Sequence, residues 1–188
     1  MSYVDDIQKV GHLTINEIIK ISNLYVPDIF KPCPWKYIDS QGRTLNHGTA
    51  VLETEELCSA YMSAYGPMHY HKLMRALDEN EFPYSDLAGG IEIYDWGCGQ
   101  AIGTMAVIEK FRQHGMLGKL RKVVLEEPSD VARDRAVIHV KKALEDYNAD
   151  VIAVSKYLPS DNGDNSNCIT SINVEQPTAI HIFSNILD

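Results

Sequence analysis

The segment from Ile91 to Thr104 constrains the fold more than any other part of the chain. It holds a short apolar run, a turn with glycines at Gly97 and Gly99, and an apolar pattern at helical spacing from Met105 onward. Glycine permits backbone angles and close approaches that a Cβ blocks, so a ligand could contact the main chain at both positions. The segment therefore predicts a buried strand, a glycine-rich turn and a helix whose N-terminal N–H groups face the same crevice. The alternative is a turn that only joins strand to helix.

The spacing of these glycines distinguishes two classes of cofactor site. The dinucleotide fingerprint G-x-G-x-x-G would need its third glycine where Ile102 stands. The chain also has no G-x-x-x-x-G-K-[ST], which argues against a nucleotide triphosphatase. Asp95, two residues before Gly97, completes D-x-G-x-G, and this motif resembles that of the class I S-adenosylmethionine-dependent methyltransferases. Ala101 departs from the family, which commonly has a third glycine there.

The resemblance implies a fold, a cofactor and a set of site residues. The fold is α/β, with a Rossmann-like, mostly parallel sheet of which residues 91–188 supply the first four strands. The cofactor is S-adenosyl-L-methionine, and the activity is transfer of its methyl group to an unknown acceptor. The cofactor-binding residues that it implies are Asp95, Gly97, Cys98, Gly99, Glu127, Ser184 and Asn185.

A second apolar strand begins near Lys122 and ends in two acids followed by Pro128. An acid at the tip of such a strand can accept hydrogen bonds from ribose hydroxyls, and Glu127 resembles the ribose-binding acid of the family. A solvated strand-end glutamate is the alternative. Ser129 or Asp130 is predicted to cap the helix that follows.

The last ten residues read as an apolar strand that breaks at Ser184 and Asn185. The resemblance implies that this fourth strand ends where methyl donor and acceptor meet, so that these two residues and Asp188 would face the reaction. His181 is predicted to be a core or edge histidine rather than a catalytic base.

The region between the third and fourth strands gives a weaker pattern. Residues 151–154 and 168–172 both fit strands, and a polar loop separates them. Asp161 and Asn173 are candidates for contacting the adenine.

Composition limits the environment and the partners of the chain. Its 188 residues are 45% hydrophobic and contain no apolar run near the ~20 residues of a membrane helix. Neither a secretion signal nor a metal-binding cysteine spacing is evident, so the four cysteines are expected to be reduced thiols of a cytoplasmic protein. The net charge of −9 argues against a nucleic-acid substrate and leaves small molecules or proteins as acceptors.

Residues 1–90 are predicted to form an N-terminal extension, separated by a turn-rich boundary from the cofactor-binding domain at 91–188. One or two short helices are expected in residues 7–24 and a β-hairpin in residues 35–52. A further helix is expected to begin after Thr54 and to end at Gly66 and Pro67.

This last helix carries an unusual density of aromatic residues. Tyr65 and His69 are predicted to form a lid over the cofactor, because methyl transfer requires exclusion of water. The alternative is that these residues and Tyr61 fill the seam between the two halves. His69 and His71 point in different directions on a helix, which argues against a metal site.

The family's sheet has seven strands, whereas this chain stops after the fourth. We therefore expect the front piece of a longer protein, and an apolar edge at residues 179–187. That edge predicts either a homodimer or coverage by the N-terminal hairpin, and little methyl transfer by this chain alone. Two alternatives remain: a non-catalytic methyltransferase-like module that binds cofactor or partner, and a nicotinamide-dependent oxidoreductase.

Overall fold

A four-stranded, all-parallel sheet organises the protein. The structure is a computed structural model that describes residues 2–79, 90–155 and 178–183. The strands are β1 (Ile91–Trp96), β2 (Leu120–Glu126), β3 (Asp150–Val154) and β4 (Thr178–Ile182), in the order β3-β2-β1-β4. This confirms the predicted Rossmann-like α/β fold.

The strand order places a switch point beside β1. From β1 the chain passes to β2 and β3 on one side, and β4 then pairs with the other side of β1. In open α/β sheets, ligands bind outside the carboxyl ends of the strands at such a point. The glycine-rich turn follows β1 directly, so it lies at this position.

The described part of the chain contains five α-helices. They are α1 (Tyr3–Gln8), α2 (Ile15–Leu24), α3 (Glu55–Glu79), α4 (Ile102–Gln113) and α5 (Asp130–Ala143), of which α4 and α5 pack directly on the sheet. Short polar side chains begin four of the five helices, because the first N–H groups of a helix lack partners within it. The capping hydroxyls belong to Ser2, Thr14, Thr54 and Ser129. The predicted caps at Thr54 and Ser129 are thus confirmed.

One hydrophobic core joins the N-terminal helices to the sheet. It includes Ile7 of α1, Ile18 of α2, Ile93 of β1 and Met105 of α4. Nearly all of α4 is buried because it lies among the sheet, α3 and α5. The buried carboxylate of Glu109 in α4 strengthens this junction by accepting hydrogen bonds from the first N–H of α2 and from a tyrosine hydroxyl of α3.

The prediction that Gly66 and Pro67 end a helix is wrong, because α3 continues through both to Glu79. A Cβ at Gly66 would lie 2.9 Å from the sulfur of Met62 and 3.2 Å from Cγ1 of Ile19 in α2. Glycine at this position therefore permits close packing of α2 on α3. Tertiary packing of this kind outweighs the intrinsic cost of proline inside a helix.

The predicted hairpin at residues 35–52 is also wrong. The segment contains two short 3₁₀ turns and a single antiparallel bridge, between Ile38 and Thr44. The extended backbone conformation that a strand needs ends at Asn46 and His47, which both have positive φ. The segment instead packs against α3 and α5 through a second core cluster. It is not paired with β4 in the described part of the chain, where the strand beside β4 is β1.

Candidate functional site at the carboxyl ends of β1 and β2

The turn after β1 has a backbone conformation that favours glycine. Gly97, Gly99 and Ala101 have φ values of 65°, 54° and 64°, in the left-handed region that L-residues disfavour. Ala101 pays about 1–2 kcal/mol for this conformation. It immediately precedes α4 and is fully buried in the main core, so its methyl group adds to the core.

Glu127 contacts this turn directly. Its Oε2 accepts a hydrogen bond from the Gly99 N–H at 2.9 Å, and its Oε1 accepts one from the Ser129 N–H at 3.0 Å. The Cys98 N–H also donates to the carbonyl of Glu126. Burial raises the pKa of Glu127, and the two backbone hydrogen bonds oppose that rise. The structure thus brings the glycine turn and the predicted ribose acid together.

Asp95 lies beneath the turn on the buried side of β1, with 1% of its surface exposed. Its Oδ2 accepts hydrogen bonds from the N–H and hydroxyl of Thr104, at 3.1 and 2.7 Å. Its Oδ1 has no hydrogen-bond partner among the residues that the structure describes. Burial raises the pKa of Asp95 to about 7, and the charge of Glu127 adds to that rise while the bonds from Thr104 oppose it. Asp95 therefore fixes the first turn of α4 through hydrogen bonds from the buried side of the sheet.

Cys98, between the two glycines, is buried. Burial raises the pKa of its thiol well above the usual value, and the neighbouring charges of Asp95 and Glu127 raise it further. Since the thiolate is the reactive form of cysteine, this side chain has low reactivity. The role of Cys98 in cofactor binding stays a prediction.

Three residues in or next to the turn were not predicted from the sequence to belong to the site. Gln100 of the turn and two residues of α5, Arg135 and His139, are buried, and each of the two helix residues is hydrogen-bonded to Gln100. A signal was present, because Arg135 and His139 are four residues apart and share the buried face of α5 with Ala136.

Several predicted site residues lie outside the described part of the chain. These are Ser184 and Asn185 of the predicted cofactor site, Asp188 of the predicted reaction zone, and the adenine candidates Asp161 and Asn173. Their roles stay predictions.

His181 lies on the exposed face of the strand at the end of the sheet order, as the edge interpretation predicted. Its ring stacks on Tyr94, with centroids 5.1 Å apart, and Nδ1 accepts a hydrogen bond from the indole N–H of Trp96. These contacts are with neighbouring rings of the sheet.

The predicted lid residues lie together on α3. Tyr65 contacts Tyr61, with ring centroids 5.2 Å apart, and His69 stacks on Tyr61 at 6.1 Å. Helix α3 meets the glycine turn at Cys58, whose carbonyl accepts a hydrogen bond from Gln100. Tyr65 is about 10 Å farther along the helix axis from that point. The lid role stays a prediction, and packing in the seam remains its alternative.

The described part of the chain holds no group of three or more histidine, cysteine, aspartate or glutamate side chains that could bind a metal ion. Among the helices of the described ranges, none has the length and hydrophobicity of a membrane span. No protein-family model, no curated protein and no solved structure matches the chain.

Proposed function

We propose that the chain binds S-adenosylmethionine at the carboxyl ends of β1 and β2 and that the protein transfers the methyl group to an acceptor. The observation that carries this proposal is the hydrogen bond between Gly99 and Glu127. It joins a glycine turn and an acid at the switch point of a parallel sheet, although 28 positions separate the two residues in sequence.

The two residues retain the capacity to bind a ligand. Each carboxylate oxygen of Glu127 uses one lone-pair site for a backbone N–H and keeps another, which can accept a ribose hydroxyl. Beside Gly99, a Cβ would meet no atom within 4 Å. A ligand can therefore approach the main chain of the turn closely.

The charges near the turn favour a cationic cofactor over a dinucleotide. A dinucleotide places its pyrophosphate on the N–H groups at the start of the helix. Here the buried carboxyl group of Asp95 already takes the N–H of Thr104 in the first turn of α4. The carboxylate of Glu127 also lies against the turn, where a negative charge repels a diphosphate and attracts the sulfonium and ammonium groups of S-adenosylmethionine.

When bound, S-adenosylmethionine supplies an electrophilic methyl group for in-line displacement by the acceptor. The contribution of this chain is then positioning, which can supply a large part of such a rate enhancement without a dedicated base. Glu127 orients the ribose, and the main chain from Gly97 to Gly99 forms the wall against which the cofactor lies.

Replacement of Glu127 by alanine tests the assignment. Loss of charge-assisted hydrogen bonds to the ribose should weaken binding of S-adenosylhomocysteine by about 1.5–3 kcal/mol, measured by calorimetry. Asp134→Ala is the matched control, because Asp134 is an exposed acid of α5 and its loss should leave affinity unchanged. Equal affinity of a folded Glu127→Ala variant and the wild type would show that Glu127 does not hold the ribose.

Hydrogen exchange tests the lid at Tyr65 and His69. If these residues close over the cofactor, exchange across residues 54–77 should slow when S-adenosylhomocysteine binds. The C-terminal end of α5, residues 140–143, serves as the internal reference. Unchanged exchange in 54–77 while calorimetry reports binding would assign the aromatic residues to packing.

A further inference from the structure

Gln100 belongs to the glycine turn, and its side chain and its main-chain carbonyl are hydrogen-bonded to residues of two helices. Its Nε2 donates to the carbonyl of Cys58 in α3 at 2.9 Å, and its Oε1 accepts from Arg135 in α5 at 3.3 Å. Its main-chain carbonyl is 3.0 Å from Nδ1 of His139, also in α5. The turn is thus fixed at Gln100 from two helices.

Arg135 connects this turn residue to the N-terminal segment. Its guanidinium donates to the Glu55 carboxylate at 2.7 Å from Nε, to the Glu55 carbonyl at 3.0 Å and to the hydroxyl of Ser59 at 2.8 Å. The same group lies 3.7 Å from the ring centroid of Tyr3, close enough for a cation–π contact. Apart from Gln100, every one of these partners lies within residues 3–59.

The direction of the hydrogen bonds around His139 follows from its partners. The Gln100 carbonyl only accepts, so Nδ1 carries the proton and Nε2 is an acceptor. The Tyr3 hydroxyl, 2.8 Å from Nε2, therefore donates to it, and the Tyr3 oxygen in turn can accept from Ser22 at 3.3 Å. Burial lowers the pKa of His139 to about 3, so the neutral ring that this chain of bonds requires is maintained.

The turn needs such support because its conformation is unfavourable. Ala101, directly after Gln100, has a φ of 64°, which costs an alanine about 1–2 kcal/mol, whereas Gly99 before it adopts its positive φ freely. Unfavourable backbone angles persist where the surrounding structure determines them. A turn held in its binding conformation before the ligand arrives binds more tightly, because less ordering remains to be done.

We infer that the N-terminal segment, through Tyr3, Glu55 and Ser59, holds the glycine turn in its ligand-binding conformation, with Arg135 and Gln100 as positioning residues. The inference rests on the proposed function only for the identity of the ligand. It gives the N-terminal segment a role that does not require contact with the cofactor.

Two variants test this inference at different depths. Gln100→Leu removes both side-chain bonds of the turn residue, whereas Tyr3→Phe removes one hydroxyl and keeps the ring over Arg135. Hydrogen exchange at the turn amides 98–101 is measured without ligand, and calorimetry measures the affinity for S-adenosylhomocysteine. Ile18→Val and Ile18→Ala serve as controls of graded stability, because Ile18 is buried in the same core.

Exchange at the turn should accelerate about tenfold or more in Gln100→Leu, as loss of one or two net hydrogen bonds predicts, and by a smaller factor in Tyr3→Phe. The affinity for S-adenosylhomocysteine should fall by about the same factors. The Ile18 variants should show neither effect beyond what their lower global stability produces.

Turn exchange no faster than in an Ile18 variant of equal stability would overturn the inference. If Gln100→Leu fails to fold, the comparison of Tyr3→Phe with Ile18→Val decides. Faster exchange with unchanged affinity would overturn the role in ligand binding. A wild type that binds no S-adenosylhomocysteine would refute the proposed function, whereas the exchange data would still decide whether the N-terminal segment holds the turn.

Discussion

Asparagine in place of Asp95 should make the protein more stable than the wild type at pH 8, by about 2–4 kcal/mol, and this advantage should disappear near pH 4. The cause is the buried carboxylate, whose Oδ1 has no partner in the described part of the chain and whose pKa is raised to about 7. A raised pKa means that protonated Asp95 stabilises the fold below about pH 4, and that this stability is lost as the pH rises through 7.

Urea unfolding of both proteins from pH 4 to pH 8 measures this difference directly. His139 acts in the opposite sense, because its lowered pKa gives stability above about pH 6.5 that is lost as the pH falls toward 3. The comparison with the wild type cancels that common contribution. Asp134→Asn, an exposed acid of α5, is the control and should show no such trend. A difference between Asp95→Asn and the wild type that does not change with pH would contradict the buried, proton-linked carboxyl group.

Methionine in place of Arg135 should lower the free energy of unfolding by about 2–5 kcal/mol. The substitution removes the donors to Glu55, Ser59 and Gln100 together with the contact over the Tyr3 ring. The oxygen atoms of Ser59 and Gln100 are then left buried without this donor. Their loss of a partner costs more free energy than loss of the ion pair with Glu55, because the Glu55 side chain is exposed to solvent.

Arg75→Met is the matched control for this measurement. Arg75 pairs with Glu79 on the exposed surface of α3, so its loss should change stability by less than about 0.5 kcal/mol. Urea unfolding at constant pH provides both values. If Arg135→Met were no more destabilising than Arg75→Met, the buried network around Arg135 would not stabilise the fold.

Local sequence patterns predicted the strands of the sheet and the helices that connect them. The apolar run before Gly97 and the run before Glu127 became β1 and β2, and the hydroxyl of Ser129 caps α5. Prediction failed where tertiary packing decides the outcome. Gly66 looks like a helix terminator, but its missing Cβ is what allows α2 to pack on α3.

The candidate site was likewise predictable only where local sequence patterns determine it. Glycine spacing and a strand-end acid predicted that Gly99 and Glu127 belong together, and a hydrogen bond joins them. The network around Arg135 was not predicted, because its partners Tyr3 and Glu55 come from distant parts of the sequence. The buried face of α5 indicated that Arg135 needs partners, but spacing alone does not identify them.

Calorimetric titration of the chain with S-adenosylmethionine, S-adenosylhomocysteine and NAD tests the central claim most directly. We predict saturable one-to-one binding of the first two ligands and no binding of NAD at the same concentrations, because Asp95 already takes an N–H of the first turn of α4 and the carboxylate of Glu127 lies against the glycine turn. Tighter binding of NAD, or a folded chain that binds neither S-adenosyl compound, would contradict the claim.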